Sequence, residues 1–253
     1  MTTSIDISES AGVRYLHFGS EWVQGAMRIR TPFALELAYT REMMTGLLLR
    51  ESPWPRNVLV IGLGAGSVVK FLHRHCPDAR IEVVEIEARV YAAARQFFAF
   101  PAEDKRLRVH IGDGVEYVLS SSRHYDCVLL DGFDSNARAG GLDTLPFYQA
   151  ARNLLTESGL LVANLFGRSR GFRASLDRIE KAFDGRALAF PSCDSGNVIA
   201  FAAGSEAVDI SLADLRERAM QLKTDTGLDL LPTVSRLEES ARFPGARLTI
   251  GAP

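Results

Sequence analysis

The chain has 253 residues, a formal net charge of −2 and 47% hydrophobic residues, which is typical of one globular α/β domain with a small appendage. Scattered basic residues argue against a nucleic-acid-binding surface, and no apolar run approaches the ~18 residues that a membrane span requires. The polar amino terminus, MTTSIDISES, predicts no signal peptide. Three cysteines without zinc-ligand spacing indicate reduced thiols, no metal site and a cytoplasmic protein.

The amino-terminal residues 1–52 are predicted to form a small separate module. Its predicted elements are a mobile start at residues 1–10, a β-hairpin within 13–29 and a helix over 33–50. The hairpin follows from a partial alternation of apolar and polar residues. The helix follows from strong helix formers with apolar residues at helical spacing, and Pro53 and Pro55 end it.

Residues 53–205 alternate short apolar runs with helix-forming segments. Strands are predicted at 57–61, 81–84, 107–111, 125–130, 159–166, 187–190 and 198–202. A first helix is predicted to begin at Ser67, and further helices at 88–99, 115–121, 144–155 and 172–183. Repeated βα units predict an α/β fold, a doubly wound and mostly parallel sheet. The remaining residues 206–253 are predicted to contain one helix near 211–223 followed by an irregular tail.

A nucleoside-binding motif begins at the first of these strands. Gly62, Gly64 and Gly66 follow the strand, a helix begins next, and Glu85 ends the second strand. Glycines let a ligand approach the backbone, the helix amino terminus adds partial positive charge, and an acid ~20 residues later can bind ribose hydroxyls. The spacing G-x-G-x-G differs from the dinucleotide pattern and resembles the first motif of class I S-adenosylmethionine-dependent transferases. The alternative is a purely structural tight turn.

Further acids follow the next strands. Asp113 lies in a Gly-Asp-Gly turn, where it can either bind the exocyclic amine of adenine or cap the next helix. Asp131 and Asp134 form a D-x-x-D pair at the end of an apolar strand. Such a pair can hold an ammonium group, or one carboxylate can act as the general base for an attacking amine. The alternative is a solvated loop with a capping aspartate.

From about Arg14 to Ala203 the order of motifs resembles the spermidine synthase (polyamine aminopropyltransferase) family. The matching segments are Val23-Gln24 for its amino-terminal hairpin, Glu42-Met43-Met44-Thr45 for the end of its Tyr-His-Glu-Met motif, Val84-Glu85-Ile86-Glu87 for its ribose motif, Asp131-Gly-Phe-Asp134 for its Asp-Ser-Ser-Asp motif and Pro191-Ser-Cys-Asp-Ser-Gly196 for its Pro-Thr-Tyr-Pro-Ser-Gly motif. The resemblance implies a class I methyltransferase-type fold and a homodimer.

The resemblance also implies roles for individual residues. The implied nucleoside site consists of Gln24, Gly62, Gly64, Ala65, Gly66, Glu85, Ile86, Asp113 and Gly114. Asp131 is the implied catalytic residue with Asp134 as its auxiliary, and the acceptor is expected to meet Tyr39, Glu42, Cys193 and Asp194. No metal is implied.

The chain departs from the family's pattern where the amine should bind. Ala65 replaces the aspartate that holds the aminopropyl amine, and Cys193 replaces a tyrosine. A second family tyrosine aligns with Thr40, so that Tyr39 is one residue out of register, which on a helix is a rotation of ~100°. The nucleoside half of the pattern is therefore kept, while the amine half is changed.

Three functions follow from these residues. The first is aminopropyl transfer from decarboxylated S-adenosylmethionine to a small-molecule amine, with Asp131 taking the proton. The second is a methyltransferase that uses intact S-adenosylmethionine, because Ala65 removes a charge that would repel its carboxylate. On that basis we expect the intact cofactor to bind within about tenfold of the decarboxylated one. The third is a non-catalytic nucleoside-binding protein.

Overall fold

The amino-terminal part is a three-stranded antiparallel sheet in the computed structural model, which describes residues 4–19, 22–132, 140–191, 196–240 and 243–251. Its strands are β1 (Asp6–Ser10), β2 (Val13–His17) and β3 (Val23–Arg28). The predicted hairpin corresponds to β2 and β3. The expectation of a mobile start was wrong for β1, which pairs with β2 along its whole length. This strand is polar and mostly exposed, so no apolar alternation marks it in the sequence.

The predicted helix over 33–50 is shorter in the structure. Helix α1 (Ala38–Met43) is followed directly by a 3₁₀ helix (Met44–Leu48), and the residues before α1 are not helical. Leu35 in that preceding segment is buried in the core. Tertiary packing therefore overrides the helix propensity of the segment.

A seven-stranded sheet occupies the centre of the fold and confirms the predicted α/β class. Its strands are β4 (Asn57–Ile61), β5 (Arg80–Glu85), β6 (Leu107–Ile111), β7 (Tyr125–Leu130), β8 (Leu155–Phe166), β9 (Ala187–Ala189) and β10 (Asn197–Ala203). Their spatial order is β6-β5-β4-β7-β8-β10-β9. The first five strands in this order are parallel, and β10 runs antiparallel to both of its neighbours.

Helices cover both faces of this sheet. They are α2 (Ser67–His75), α3 (Ala88–Phe97), α4 (Gly114–Ser120), α5 (Leu145–Asn153) and α6 (Phe172–Ala182). Successive side chains of a strand point to opposite faces, so Val58 and Val60 of β4 pack in the core with α2 and α3. Leu59 and Ile61 pack in the other core with α4, α5 and α6. Burial on both faces explains why β4 reads as a continuous apolar run.

The prediction of an irregular carboxy-terminal tail was wrong. The region contains β11 (Val208–Ser211), α7 (Leu212–Thr226), α8 (Leu231–Glu239), a 3₁₀ helix (Pro244–Ala246) and β12 (Arg247–Ile250). Strands β11 and β12 pair antiparallel. These two strands have four residues each, too few for a periodic signal to separate them from loop. The predicted division of the chain at residues 52 and 205 stays a prediction.

No helix within the described ranges is both long enough and apolar enough to cross a membrane.

Candidate active site

A cavity of about 750 Å³ opens at the carboxyl ends of the central strands. Ligands of doubly wound sheets bind at this edge, because the loops that follow the parallel strands meet there. The predicted site residues that line the cavity are Gln24, Tyr39, Gly62, Gly64, Glu85, Ile86, Asp113, Gly114 and Asp131. The structure thus brings most of the predicted nucleoside residues together with the predicted catalytic aspartate.

Gly62 lets the ends of β4 and β7 approach each other. Its φ is +90°, and a Cβ atom added to it would lie 2.4 Å from the carbonyl oxygen of Asp131. The amide of Asp131 donates in turn to the carbonyl of Ile61 over 2.9 Å. Only glycine fits both this backbone conformation and this contact. The glycine turn therefore sets the position of Asp131.

Glu85 is held rigidly at the cavity wall. Its Oε2 accepts a hydrogen bond from the amide of Leu63 over 2.8 Å, and its Oε1 accepts one from the amide of Glu87 over 2.9 Å. Burial raises the pKa of Glu85, while these backbone donors act in the opposite direction. The carboxylate has a fixed orientation and lines the cavity. This geometry suits the predicted ribose contact, which stays a prediction.

Asp113 caps a helix and also lines the cavity, so its position is compatible with both roles between which the sequence did not decide. It is the N-cap of α4, with Oδ1 accepting from the amides of Val115 (2.6 Å) and Glu116 (3.4 Å). It also lines the cavity, beyond the end of β6. Capping fixes the carboxylate at the cavity edge, so it is compatible with the predicted adenine contact and does not test it.

Asp131 is held by two side-chain hydrogen-bond donors. The hydroxyl of Tyr39 donates to its Oδ2 over 3.1 Å, and the side-chain amide of Asn164 donates to its Oδ1 over 2.8 Å. The amide of Asn197 donates to the carbonyl oxygen of Asn164 over 2.9 Å. Burial raises the pKa of Asp131 to about 6, although both hydrogen bonds oppose the shift. A carboxylate with such a pKa can accept a proton near neutral pH.

Tyr39 reaches the site in spite of its offset in the sequence pattern. Its aligned neighbour Thr40 is buried, and the hydroxyl of Thr40 donates to the carbonyl of Leu37 over 2.7 Å. Helix α1 begins only at Ala38, so the direction of Tyr39 is set by the extended Leu37 before it. Burial and the charge of Asp131 raise the pKa of Tyr39 well above its usual value. Tyr39 therefore remains a protonated donor.

Two residues of the glycine loop do not line the main cavity. Ala65 is buried against β3, where a Cβ atom on Gly25 would lie 2.6 Å from the Cβ of Ala65. It lines a separate cavity of about 20 Å³, together with Tyr39 and Asp131. Gly66 is the left-handed residue that begins α2. The structure therefore does not place either residue in the main cavity, contrary to the sequence prediction.

Glu42 lies away from the cavity, contrary to its predicted contact with the acceptor. It is buried, and its Oε2 forms an ion pair with Arg236 of α8 over 2.9 Å. This contact fastens the carboxy-terminal region to the helix that carries Tyr39. The predicted residues Asp134, Cys193 and Asp194 lie outside the described residues.

Replacing Arg236 with alanine is expected to lower the free energy of unfolding by about 1–3 kcal/mol, because a buried carboxylate loses a charged partner. Urea denaturation measures this change. The matched control is Arg216→Ala, which removes the exposed ion pair of Arg216 with Glu238 between α7 and α8. Exposed pairs contribute about 0–1 kcal/mol. Equal losses in the two variants would contradict a special role for the pair with Glu42.

Sequence reasoning missed several residues that line the cavity. They include Asn164, Asn197, Phe166 and Trp22. Asn164 could have been found, because it interrupts an otherwise apolar strand and such a buried amide needs partners. Trp22 and Phe166 form an edge-to-face pair with centroids 5.7 Å apart. Nothing in the sequence indicates this pairing between residues 144 positions apart.

The charges of the cavity are unevenly distributed. Its lining within the described ranges includes the carboxylates Glu85, Glu87, Asp113 and Asp131, and no lysine, arginine or histidine. The strand order places Glu85 and Asp113 on the β5–β6 side of Asp131, and Asn164, Phe166 and Asn197 on the β8–β10 side. Among the lining residues that the structure describes, Asp131 therefore lies between an acidic half and an uncharged half.

The sequence of the chain is similar to those of known proteins. The family model described as "Spermine/spermidine synthase domain" matches residues 36–166. The polyamine aminopropyltransferase of Neisseria meningitidis is 34% identical over 236 residues, which cover 93% of this chain and 89% of that protein.

Two solved structures share the fold. One is human methyltransferase-like protein 13 in complex with SAH, with 25% identity, a TM-score of 0.63 and coverage of 83% of this chain and 94% of that chain. The other is a spermidine synthase in complex with the transition-state analogue AdoDATO, with 23% identity, a TM-score of 0.67 and coverage of 92% and 84%. At this identity the second comparison concerns the fold alone.

Proposed function

Because the chain belongs to the spermine/spermidine synthase family of transferases, we propose that it transfers an aminopropyl group from decarboxylated S-adenosylmethionine to an amine. The observation that carries the proposal is the acidic cavity, whose described lining includes four carboxylates, Glu85, Glu87, Asp113 and Asp131, and no cationic side chain. The decarboxylated nucleoside carries a sulfonium and an ammonium and no carboxylate. Each opposite charge a few ångströms away stabilises it by ~1–4 kcal/mol.

The proposed reaction is a direct displacement. The neutral acceptor amine attacks the propyl carbon bound to sulfur, a C–N bond forms, the C–S bond breaks and methylthioadenosine leaves as a neutral thioether. The new secondary ammonium group gives up one proton, which Asp131 accepts. The sulfonium is already a good leaving group, so the protein contributes mainly orientation and proton acceptance.

The arrangement of the cavity supports binding of the nucleoside in one half and of the acceptor in the other. The nucleoside would occupy the acidic half, with its ribose on Glu85 and its adenine near Asp113. The acceptor would approach along the uncharged half, past Asn197 and the ring of Phe166. Asp131 lies between the two halves, next to the point where the new bond would form.

The alternative is a methyltransferase that uses intact S-adenosylmethionine. Ala65 favours it, since the chain lacks the carboxylate that the family pattern has at this position. The acidic cavity opposes it, because the carboxylate of the intact cofactor would meet no cationic side chain among the lining residues that the structure describes.

Calorimetric titration with the two cofactors is expected to show at least tenfold tighter binding of the decarboxylated form, because it brings an extra net positive charge to the acidic cavity. Ala65 taken alone predicts instead that the two cofactors bind within about tenfold of each other. Turnover with an amine should release methylthioadenosine. Tighter binding of the intact cofactor, with S-adenosylhomocysteine as product, would favour the methyltransferase. Tight binding without turnover would favour a non-catalytic protein.

The acceptor, the assembly and the location complete the proposal. The name of the Neisseria meningitidis relative supports a polyamine-type acceptor. The family resemblance supports a homodimer through the amino-terminal part. Cys76 and Cys127 are unpaired thiols, which is consistent with the cytoplasm. Light scattering of the purified chain tests the dimer, and an amine series tests the acceptor.

A further inference from the structure

We propose that Asn197 is a positioning residue that holds the side-chain amide of Asn164 in one orientation, an interaction called the lock below. The lock directs the proton taken up by Asp131 to Oδ2, the oxygen that faces Tyr39. The inference rests on the proposed role of Asp131 as proton acceptor. It concerns two amides to which the sequence assigned no role.

The first step is the polarity of the amide chain. A primary amide has one donor end and one acceptor end. Asn164 turns its donor end to Oδ1 of Asp131 (2.8 Å) and its oxygen to the amide of Asn197 (2.9 Å). A flipped Asn164 would place its oxygen against the carboxylate and its NH₂ group against the NH₂ group of Asn197. Both contacts would be repulsive, so Asn197 holds Asn164 as a donor.

The second step is the rigidity of the backbone that carries these amides. Strands β8 and β10 are antiparallel neighbours, with Asn197 opposite Phe166 and Asn164 opposite Ile199. Asn164 is only 4% exposed. The ladder between the strands fixes the distance between the two side chains. The lock therefore does not depend on a mobile surface group.

The third step is the difference between the two oxygens of Asp131. A protonated carboxyl must donate its O–H to an acceptor. On the Oδ1 side the locked Asn164 offers only an N–H. On the Oδ2 side the hydroxyl of Tyr39 can rotate and accept, since a hydroxyl has one donor and two acceptor lone pairs. The proton therefore goes to Oδ2.

Other charged groups near Asp131 do not provide such a lock. Tyr39 of α1 is the titratable group in contact with it. The remaining acids of the described cavity lining are Glu85, Glu87 and Asp113, on the other side of the cavity. Their negative charges disfavour ionised Asp131, whereas Asn164 favours it. Losing the lock would remove the donor that favours the anion.

The test is the variant Asn197→Leu. Without its partner, Asn164 is free to flip and accept from a protonated Oδ1, which stabilises neutral Asp131. We expect the acid limb of the pH–rate profile to move upward by about one pH unit. A role in packing alone would lower the rate equally at every pH. An unmoved acid limb would overturn the proposal.

Two further variants sharpen the test. In an Asn164→Leu background, Asn197→Leu should cause no additional shift, because its effect passes through Asn164. An additional shift there would overturn the proposal. Asn197→Ser keeps a hydroxyl donor in a smaller side chain and should restore part of the wild-type profile. If Asn197→Leu fails to fold, the shift is sought in Asn197→Ala, which also removes the side-chain donor, and an unmoved limb there counts against the lock.

A readout without turnover separates this inference from the proposed function. Carbon-13 NMR of carboxyl-labelled protein follows the titration of Asp131, assigned by comparison with Asp131→Asn. A raised pKa in Asn197→Leu supports the lock even if Asp131→Asn remains active, in which case only the catalytic role fails. An unchanged pKa overturns the lock, whatever the activity of the Asp131 variant.

Discussion

Replacing Asp131 with asparagine is expected to lower turnover about 10²–10⁴-fold, with cofactor affinity nearly unchanged. Asparagine keeps the size and polarity of the side chain but cannot accept a proton at neutral pH. It can keep one hydrogen-bond partner on each side, although the contact with Tyr39 must reverse its direction. Steady-state kinetics with decarboxylated S-adenosylmethionine, together with calorimetric titration, measure the two effects separately.

The control for this variant is Glu87→Gln, which also removes one negative charge from the cavity. Glu87 is held by Arg89 at the nucleoside end, and it does not contact Asp131. A much smaller loss of turnover is expected for this control. If Asp131→Asn kept most of its activity, the proton acceptor would have to be another group.

The wild-type pH profile follows from the same carboxyl. Burial raises the pKa of Asp131 to about 6, and only the deprotonated form accepts a proton. Turnover should therefore fall as the pH drops through about 6, and this acid limb should disappear in Asp131→Asn. A wild-type acid limb near the ordinary carboxyl value of about 4 would show that this group does not control the rate.

Replacing Glu85 with alanine is expected to weaken cofactor and methylthioadenosine binding at least tenfold. The variant loses a charge-assisted contact to ribose hydroxyls, and such bonds contribute about 1.5–3 kcal/mol each. It also leaves the amides of Leu63 and Glu87 without their present acceptor, which loosens the turn beside the nucleoside. Calorimetry with methylthioadenosine measures the loss directly, because this ligand has no aminopropyl group.

The matched variant for this experiment is Glu85→Gln. It keeps one acceptor oxygen and the volume of the side chain, so its loss of affinity should be smaller than that of Glu85→Ala. Circular dichroism shows whether both variants remain folded. An unchanged affinity for methylthioadenosine in folded Glu85→Ala would remove the ribose assignment.

Local patterns were enough to predict the central sheet and the presence of the glycine turn, Glu85 and Asp113 at one end of it. Strand β4 and the glycines after it are contiguous, and Glu85 ends the next strand, so a single βαβ unit brings them together. The carboxyl ends of parallel strands meet at one edge, which also placed Asp113 and Asp131 at the same cavity. These features depend on short stretches of sequence and on the general geometry of parallel sheets.

The surroundings of Asp131 were decided by contacts between distant segments. Tyr39 and Asn164 meet Asp131 from an amino-terminal helix and from a neighbouring strand, and Asn197 holds Asn164 across an antiparallel ladder. Glu42 turned out to pair with Arg236 of a helix that the sequence did not predict. Whether a polar residue binds a ligand or another side chain depends on which partners the tertiary packing brings within about 3 Å. Residue type and spacing along the chain do not contain that information.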